Sequence, residues 1–356
     1  MNAPYPSRSG DLSRRNFLRL LGATTLTVGL VGRGFAAPPE RTTAKARAKL
    51  LRGIFPIAQT PFTAGDELDV AALVRQLEFI ARGGVQGFVW PQIASEWSTL
   101  SEKERLAGME AIGTAGRKLP TAIVLGVQGS DMAAVRRYIL QAERVGADAI
   151  ISLPPAETTE RRAILDYYEE IGRTSSLPLF VQAVGNVDVD LLLELYRRIP
   201  TMRYVKDEAG DPLERVGPLR EKSHDEIKVF SGGHGRKLIE EQERGFSGSM
   251  PAASFADLYA TTFDLWQAGK HDEARANQAR TLEALNVMLR YGTEGLKYVL
   301  CARGIFTTYK VRTVAKPSFA AATKIATGGT VVQPLDEGGK KTLDALVTSL
   351  RPYYRA

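Results

Sequence analysis

A lysine at the end of a short apolar run is the residue of this chain best suited to covalent chemistry. Lys206 ends the strand-like run 202–205, and a turn-like stretch follows at 208–212. The water-poor surroundings of a buried strand end favour the neutral amine, which can attack a carbonyl carbon. The alternative is structural: Lys206 pairs with Asp207 or Glu208, or it reaches solvent. The strands and helices predicted around Lys206 are needed to choose between the covalent and the structural interpretation.

The elements that would position Lys206 alternate regularly along the chain. Eight apolar segments with strand character are separated by seven helical patterns; the segments are 53–59, 85–90, 120–127, 147–153, 177–184, 202–205, 227–231 and 246–250. Asp69 is a candidate N-cap, Ser101 and Glu104 have capping-box spacing, and Gly146 can end a helix. Strict alternation predicts a parallel sheet with crossover helices, and eight units predict a closed (β/α)8 TIM barrel.

The alternative architecture is an open doubly wound sheet. It is disfavoured because no G-x-G-x-x-G follows the first predicted strand. Beyond residue 255 the strand patterns stop, and helical patterns cover 258–268, 273–291, 295–301 and 340–350. We therefore predict four regions: a signal peptide at 1–36, a linker at 37–50, the barrel at 51–255 and a C-terminal helical extension at 256–356.

Polar residues recur where the predicted strands end, while the strand interiors are apolar. These residues are Gln59, Thr60, Gln92, Ser95, Glu96, Gln128, Glu157, Gln182, Lys206, Ser231, His234 and Ser249. In a (β/α)8 barrel the loops after the strands line the active face. The pattern therefore predicts a polar pocket over an apolar barrel and strengthens the chemical interpretation of Lys206.

Composition limits the other classes of function. The chain has 356 residues, is 44% hydrophobic and carries a net charge of +7, more than half of it within residues 1–36. The remainder gives little support for nucleic-acid binding. The single cysteine, Cys301, excludes an intrachain disulfide, and the three histidines form no metal-spaced pair. We expect no metal and no cofactor.

The first 36 residues have the pattern of an export signal. Arg14 and Arg15 precede a mildly apolar run at 20–31, and residues 34–36 offer a small-x-small cleavage site. This order resembles a twin-arginine signal peptide, and the run is short for a membrane span. We expect the twin-arginine export machinery as a partner and a periplasmic protein with no membrane attachment after cleavage. An N-terminal anchor is the alternative.

Several short motifs together resemble one known family. They are Thr60-Pro61-Phe62, Ser95-Glu96 with Leu100-Ser101-x-x-Glu104, Gly146-Ala147-Asp148, Pro154-Pro155, Val205-Lys206-Asp207 and Phe230-Ser231-Gly232. Their order and spacing are similar to the dihydrodipicolinate synthase / N-acetylneuraminate lyase family over about residues 51–305. The resemblance implies a (β/α)8 barrel with a helical extension, often tetrameric, in which Lys206 forms a Schiff base with a 2-oxo acid. We expect a homo-oligomer, either a dimer or a tetramer.

Finer features resemble the branch that dehydrates 2-keto-3-deoxy sugar acids. These are residues 180–182, Ser95-Glu96 and residues 248–250. Two positions depart from the family pattern. The usual proton-shuttle tyrosine is replaced by Glu157, and the usual Gly-Thr-Thr-Gly-Glu loop reads Gln92-Ile93-Ala94-Ser95-Glu96. Dihydrodipicolinate synthesis itself is therefore not expected.

The resulting hypothesis is a lyase, either an aldolase or a dehydratase, that acts through Lys206. Glu157 or Glu96 would transfer protons, and Ser95 with the backbone of residues 93–95 would bind the substrate carboxylate. The further predicted substrate contacts are Thr60, Gln182, Ser231, His234 and Ser249. Each of these predicted roles has a structural alternative. Glu157 would be a solvated loop carboxylate, and Glu96 would be a buried partner that fixes its loop. A second hypothesis is a periplasmic barrel that binds an oxo or sugar acid without turnover.

Overall fold

Eight parallel strands form the centre of the molecule. The computed structural model describes residues 49–155, 158–312 and 332–356. The strands are β1 Gly53–Ile54, β2 Gly87–Trp90, β3 Ala122–Gly126, β4 Ala149–Ser152, β5 Leu179–Ala183, β6 Met202–Asp207, β7 Lys228–Ser231 and β8 Gly248–Ser249. They pair in the order β1-β8-β7-β6-β5-β4-β3-β2, so each strand lies beside its neighbour in sequence.

Backbone hydrogen bonds between the β1 and β2 segments close the sheet. The N–H of Ala58 donates to the carbonyl of Val89 at 2.9 Å, and the N–H of Val89 donates to that of Pro56 at 3.0 Å. The predicted (β/α)8 barrel is confirmed. β1 is shorter than the predicted segment 53–59 because Pro56 has no N–H to contribute to the ladder.

Helices alternate with the strands and continue beyond them. Their bounds are α1 Val70–Arg82, α2 Glu102–Gly116, α3 Met132–Val145, α4 Arg161–Thr174, α5 Val189–Arg198, α6 Pro212–Lys222, α7 Leu238–Glu243, α8 Ala256–Gln267, α9 His271–Leu289, α10 Gly292–Ala302 and α11 Glu337–Leu350. The predicted capping box is present, since Ser101 and Glu104 bond each other's backbone N–H. Gly146 ends α3 with φ 78°. None of the described helices is both long and apolar enough to cross a membrane.

Aromatic side chains fill the inside of the barrel below its carboxyl-terminal mouth. The rings of Phe180 and Tyr204 stack with centroids 4.5 Å apart, and Phe230 contacts Phe55 edge-on at 5.1 Å. A second and larger apolar layer lies between the strands and the surrounding helices. The interior is therefore a packed core, which leaves polar chemistry to the strand ends above it.

Buried polar contacts join α9 and the end of α10 to α8, the helix that follows the last strand. In α9, Asn277 donates to the carbonyl of Leu258 and to the hydroxyl of Thr262, both at 2.8 Å. Arg303, directly after α10, forms a buried ion pair with Asp257 of α8 at 2.7 Å. These contacts fix the position of α10, which contacts the candidate site from one side.

Candidate active site

Strand alternation places Lys206 inside the barrel mouth. Successive side chains of a strand point to opposite faces, so Lys206 shares a face with Tyr204 of the aromatic interior. Only 4% of Lys206 is exposed, and its register partner on β5 is Gln182. The amine therefore lies directly above the apolar plug, at the position the sequence predicted.

The nearest charged partner of Lys206 is Glu208. The two atoms Lys206 Nζ and Glu208 Oε2 are 2.8 Å apart, and the Glu208 side chain is 8% exposed. The Glu208 N–H donates to the carbonyl of Ala183 at 2.9 Å, so the backbone stays paired beyond the end of β6. Gln182 Nε2 also donates to Glu208 Oε2, at 2.5 Å. Lys206, Glu208 and Gln182 therefore form one buried polar cluster.

Asp207 points away from this cluster. Its carboxylate accepts from Arg215 Nε at 2.8 Å, and Arg215 also donates to the carbonyl of Val187. Burial raises the pKa of Asp207, while Arg215 opposes that shift. Asp207 therefore fastens the strand end to α6 and leaves Glu208 as the carboxylate beside the amine.

A small cavity brings Lys206, Glu208 and His234 together. Its wall is completed by apolar side chains: Ile57, Ile93, Ala94, Met250 and Ala252. His234 has φ 57° and lies between Gly233 and Gly235, which also have positive φ. This tight glycine turn after β7 is what turns the imidazole towards the mouth of the barrel. The structure thus groups two of the predicted site residues, Lys206 and His234, around one cavity.

Thr60 and Ser95 hold the loop that follows β2. The Thr60 hydroxyl donates to the Ser95 carbonyl at 2.5 Å, and it accepts from Trp90 Nε1 at 3.0 Å. The Ser95 hydroxyl donates to the carbonyl of Ala58 at 2.5 Å. Both hydroxyls therefore make bonds within the protein that agree with the structural alternative, and their contact with a substrate stays a prediction.

Glu96 is paired with α10. Its carboxylate forms a buried ion pair with Lys297 and accepts the N–H of Arg312 at 2.8 Å. Burial raises the pKa of Glu96 and lowers that of Lys297, since each charged form loses hydration. This contact agrees with the alternative in which Glu96 fixes its loop, and proton transfer by Glu96 stays a prediction.

Ser231 and Ser249 meet on the side of the sheet that faces α7. Their hydroxyls are 2.9 Å apart, and Glu241 of α7 is buried against them. Burial raises the pKa of Glu241 to about 8. Ser231 and Glu241 line a second cavity of about 210 Å³, which also contains Glu208 and Arg236. Glu208 therefore stands between the two cavities.

The remaining predicted catalytic residue, Glu157, lies outside the described residues. Two residues of the site are not among those predicted from the sequence. The sequence offers Glu208 only as a structural partner of Lys206, although strand alternation places residues two apart on one face. Lys297 gave no local signal, because its pairing with Glu96 is created by the fold.

The fold and site define a (β/α)8 barrel protein with a buried lysine at the end of its sixth strand, facing a cavity at the barrel mouth. Residues 50–324 match the model of the dihydrodipicolinate synthetase family. This match covers most of the chain, and the chain belongs to that family. The family resemblance drawn from the sequence motifs is confirmed.

Proteins similar in sequence to this chain include enzymes with different activities. The chain is 26% identical over 246 residues to L-2-keto-3-deoxyarabonate dehydratase of Azospirillum brasilense, which covers 66% of this chain and 79% of the relative. It is 26% identical over 250 residues to 4-hydroxy-tetrahydrodipicolinate synthase of Salinibacter ruber, which covers 68% and 81%. A dehydratase and a synthase among the relatives support a lyase as the kind of protein.

Solved structures of other proteins share the fold. YagE of E. coli K12, solved in complex with pyruvate, superposes with a TM-score of 0.73 at 19% identity, covering 85% of this chain and 99% of that one. The sialic acid aldolase of Ruminococcus gnavus, solved as a catalytic lysine mutant, gives 0.72 at 15% identity, covering 85% and 97%. At these identities the likeness establishes the fold.

Proposed function

We propose that this protein is a Schiff-base lyase that acts on a 2-oxo acid through Lys206. The observation that carries the proposal is the Lys206 amine, buried at the barrel mouth and lining a cavity with Glu208 and His234. A lysine amine in such a position can form an imine with a carbonyl substrate. Membership of the dihydrodipicolinate synthetase family supports this choice of chemistry.

The chemistry needs no group beyond the chain. The amine attacks C2 of the substrate, and loss of water leaves a protonated imine. This cation accepts electron density from C3, so it acidifies the C3 hydrogen and prepares either dehydration or carbon–carbon cleavage. Ile93 and Ala94 begin a short 3-10 turn, where the first N–H groups have no partner within the turn. These N–H groups are suited to bind the substrate carboxylate.

Within this class we propose a dehydratase of a 2-keto-3-deoxy sugar acid. The relative from Azospirillum brasilense supports this substrate class. Gln182 is fully buried, and its Oε1 has no hydrogen-bond partner in the part of the chain that the structure describes. It could accept a bond from a sugar hydroxyl. Residues 92–96 lack both threonine hydroxyls of the usual Gly-Thr-Thr-Gly-Glu loop. Together with Glu157 at the usual tyrosine position, this argues against dihydrodipicolinate synthesis.

A second candidate is a barrel that binds such an acid without turnover. The 2.8 Å ion pair between Lys206 Nζ and Glu208 Oε2 favours it, because an amine held by a carboxylate can bind a substrate carboxylate without adding to the 2-oxo carbonyl. The two candidates differ in whether Lys206 bonds covalently to C2 of the substrate.

A panel of 2-keto-3-deoxy sugar acids distinguishes these functions. We expect the full chain to remove water from at least one member without releasing pyruvate, as followed by mass spectrometry of the small molecules. The Lys206→Met variant should lose this turnover, and Lys237→Met should keep it, because Lys237 is half-exposed and pairs with Asp211. Binding of a panel member by calorimetry with no product would support the second candidate instead.

A further inference from the structure

We propose that Glu208 is the proton-transfer residue of this site, exchanging protons with the Lys206 amine and with C3 of the bound substrate. The inference rests on the proposed imine chemistry and assigns to Glu208 the role that a tyrosine has in the family pattern. Its basis is position: Glu208 Oε2 is 2.8 Å from Lys206 Nζ, and both side chains line the same cavity. C3 of an imine is only two bonds from that nitrogen, within reach of the same carboxylate.

The surroundings of Glu208 fix its carboxylate against the amine. Gln182 Nε2 donates to Oε2 at 2.5 Å, and the backbone N–H of Glu208 is bonded to Ala183. The side chain lies across Gly232: a Cβ at that position would be 2.0 Å from Oε1 and 2.2 Å from Cγ and Cδ. Gly232 therefore provides the space that lets Glu208 reach Lys206.

The other nearby carboxylates and the tyrosine of β6 are committed elsewhere. The titratable side chains among the described residues that line the cavity are Lys206, Glu208 and His234. Glu96 pairs with Lys297, and Asp207 pairs with Arg215. The Tyr204 ring stacks in the apolar plug below the cavity. Of the carboxylates described by the structure, Glu208 is the one in contact with the reacting amine.

The steps balance with one carboxylate. Glu208 takes a proton from the Lys206 ammonium, and the neutral amine adds to C2 to give a carbinolamine. Glu208 returns that proton to the carbinolamine hydroxyl, which leaves as water and gives the protonated imine. The carboxylate then takes the C3 proton, and the electron pair of the C3–H bond forms the enamine. In a dehydration, the enamine expels the C4 hydroxyl, which receives the proton from Glu208 and leaves as a second water.

Exchange of the methyl protons of pyruvate with deuterated water isolates this role, because it needs an imine and a base but no complete reaction. We expect the unaltered full chain to exchange these protons by NMR and Glu208→Gln to exchange them roughly 10²–10⁴ times more slowly. Raising the pH should restore borohydride-trapped adduct in Glu208→Gln, since solvent can then deprotonate the amine, while exchange stays slow. The matched control is Glu214→Gln, an exposed carboxylate of α6, which should exchange normally.

A second pair of variants keeps the test valid if Glu208→Gln folds poorly. Gly232→Ala retains every reacting group but displaces the Glu208 carboxylate, so exchange should fall at least tenfold. Gly217→Ala is its control, because a Cβ there meets no atom within 4 Å. Exchange within threefold of the unaltered protein in both Glu208→Gln and Gly232→Ala would overturn the inference. An adduct without exchange in the unaltered protein would overturn it and leave the imine proposal standing, whereas no adduct would defeat both.

Discussion

At the scale of single residues, the two-residue period of a strand organises the site. Tyr204, Lys206 and Glu208 are spaced by two and lie on the inner face, whereas Asp207 points outward to Arg215. The sequence predicted the position of Lys206 because that position depends only on where the sixth strand lies and where it ends. The sequence left open whether Asp207 or Glu208 would pair with Lys206, because a residue just past a strand can also turn away into a loop.

A second single residue, Glu241, makes the stability of the protein depend on pH. Burial raises its pKa from 4.5 to about 8, so folding favours the protonated form. Its stabilising contribution is complete below about pH 4.5 and is lost as the pH rises through 8. Relative to Glu241→Gln, the unaltered protein should lose roughly 2–4 kcal/mol of unfolding free energy across this range.

Urea denaturation of both proteins at pH 5 and pH 8.5 measures this difference. Glu243→Gln is the control, because Glu243 is an exposed carboxylate at the end of α7 and should leave the pH dependence nearly unchanged. An equal pH dependence in the unaltered protein and in Glu241→Gln would show that Glu241 ionises normally.

At the scale of elements, α10 holds the loop that covers one side of the cavity. Lys297 is fully buried between Glu96 and the ring of Phe62, and its Nζ donates to the carbonyl of Lys310 at 2.7 Å. Arg312 adds a bond from its N–H to Glu96 and an ion pair to Glu104 at 2.7 Å. The loop at 92–96 is therefore fixed by the C-terminal part of the chain as well as by Thr60 and Ser95.

Breaking this ion pair should destabilise the protein strongly. Lys297→Met leaves the Glu96 carboxylate buried without its cation, which typically costs about 3–5 kcal/mol of unfolding free energy. The double variant with Glu96→Gln should recover much of that loss, because no charge then remains buried. Denaturant midpoints of the two single variants and the double variant measure the coupling.

The exposed ion pair of Lys270 and Glu273 supplies the comparison. Lys270→Met should shift the midpoint little, since exposed pairs are weak. Additive effects of Lys297→Met and Glu96→Gln would contradict a specific buried pair.

The sequence predicted local elements better than their long-range partners. The capping box of α2 and the glycine that ends α3 each depend on residues only a few positions apart, and both were predicted correctly. The role of Glu96 depends on Lys297, which lies on a helix far along the chain. No local pattern shows which of many lysines a folded chain will bring to a carboxylate.

At the scale of the whole molecule, the alternation of apolar and helical segments was enough to predict the barrel. Eight parallel strands in sequence order admit few other arrangements, and the family match agrees with the motifs.

The export signal at residues 1–36 lies outside the described residues, and we propose it as a route to the periplasm that cell fractionation would test. That the chain forms a dimer or a tetramer stays a prediction, which light scattering would test. Substrate identity is decided by a few side chains at the barrel mouth, which the fold does not specify.

The most direct test of this account is covalent trapping at Lys206. The full chain is incubated with pyruvate and borohydride, and the mass of the protein and of its peptides is measured. We predict one added group per chain, located at Lys206, absent from Lys206→Met and retained in Lys237→Met. An unmodified protein, or an adduct at another lysine in place of Lys206, would contradict the assignment of Lys206 as the imine-forming residue.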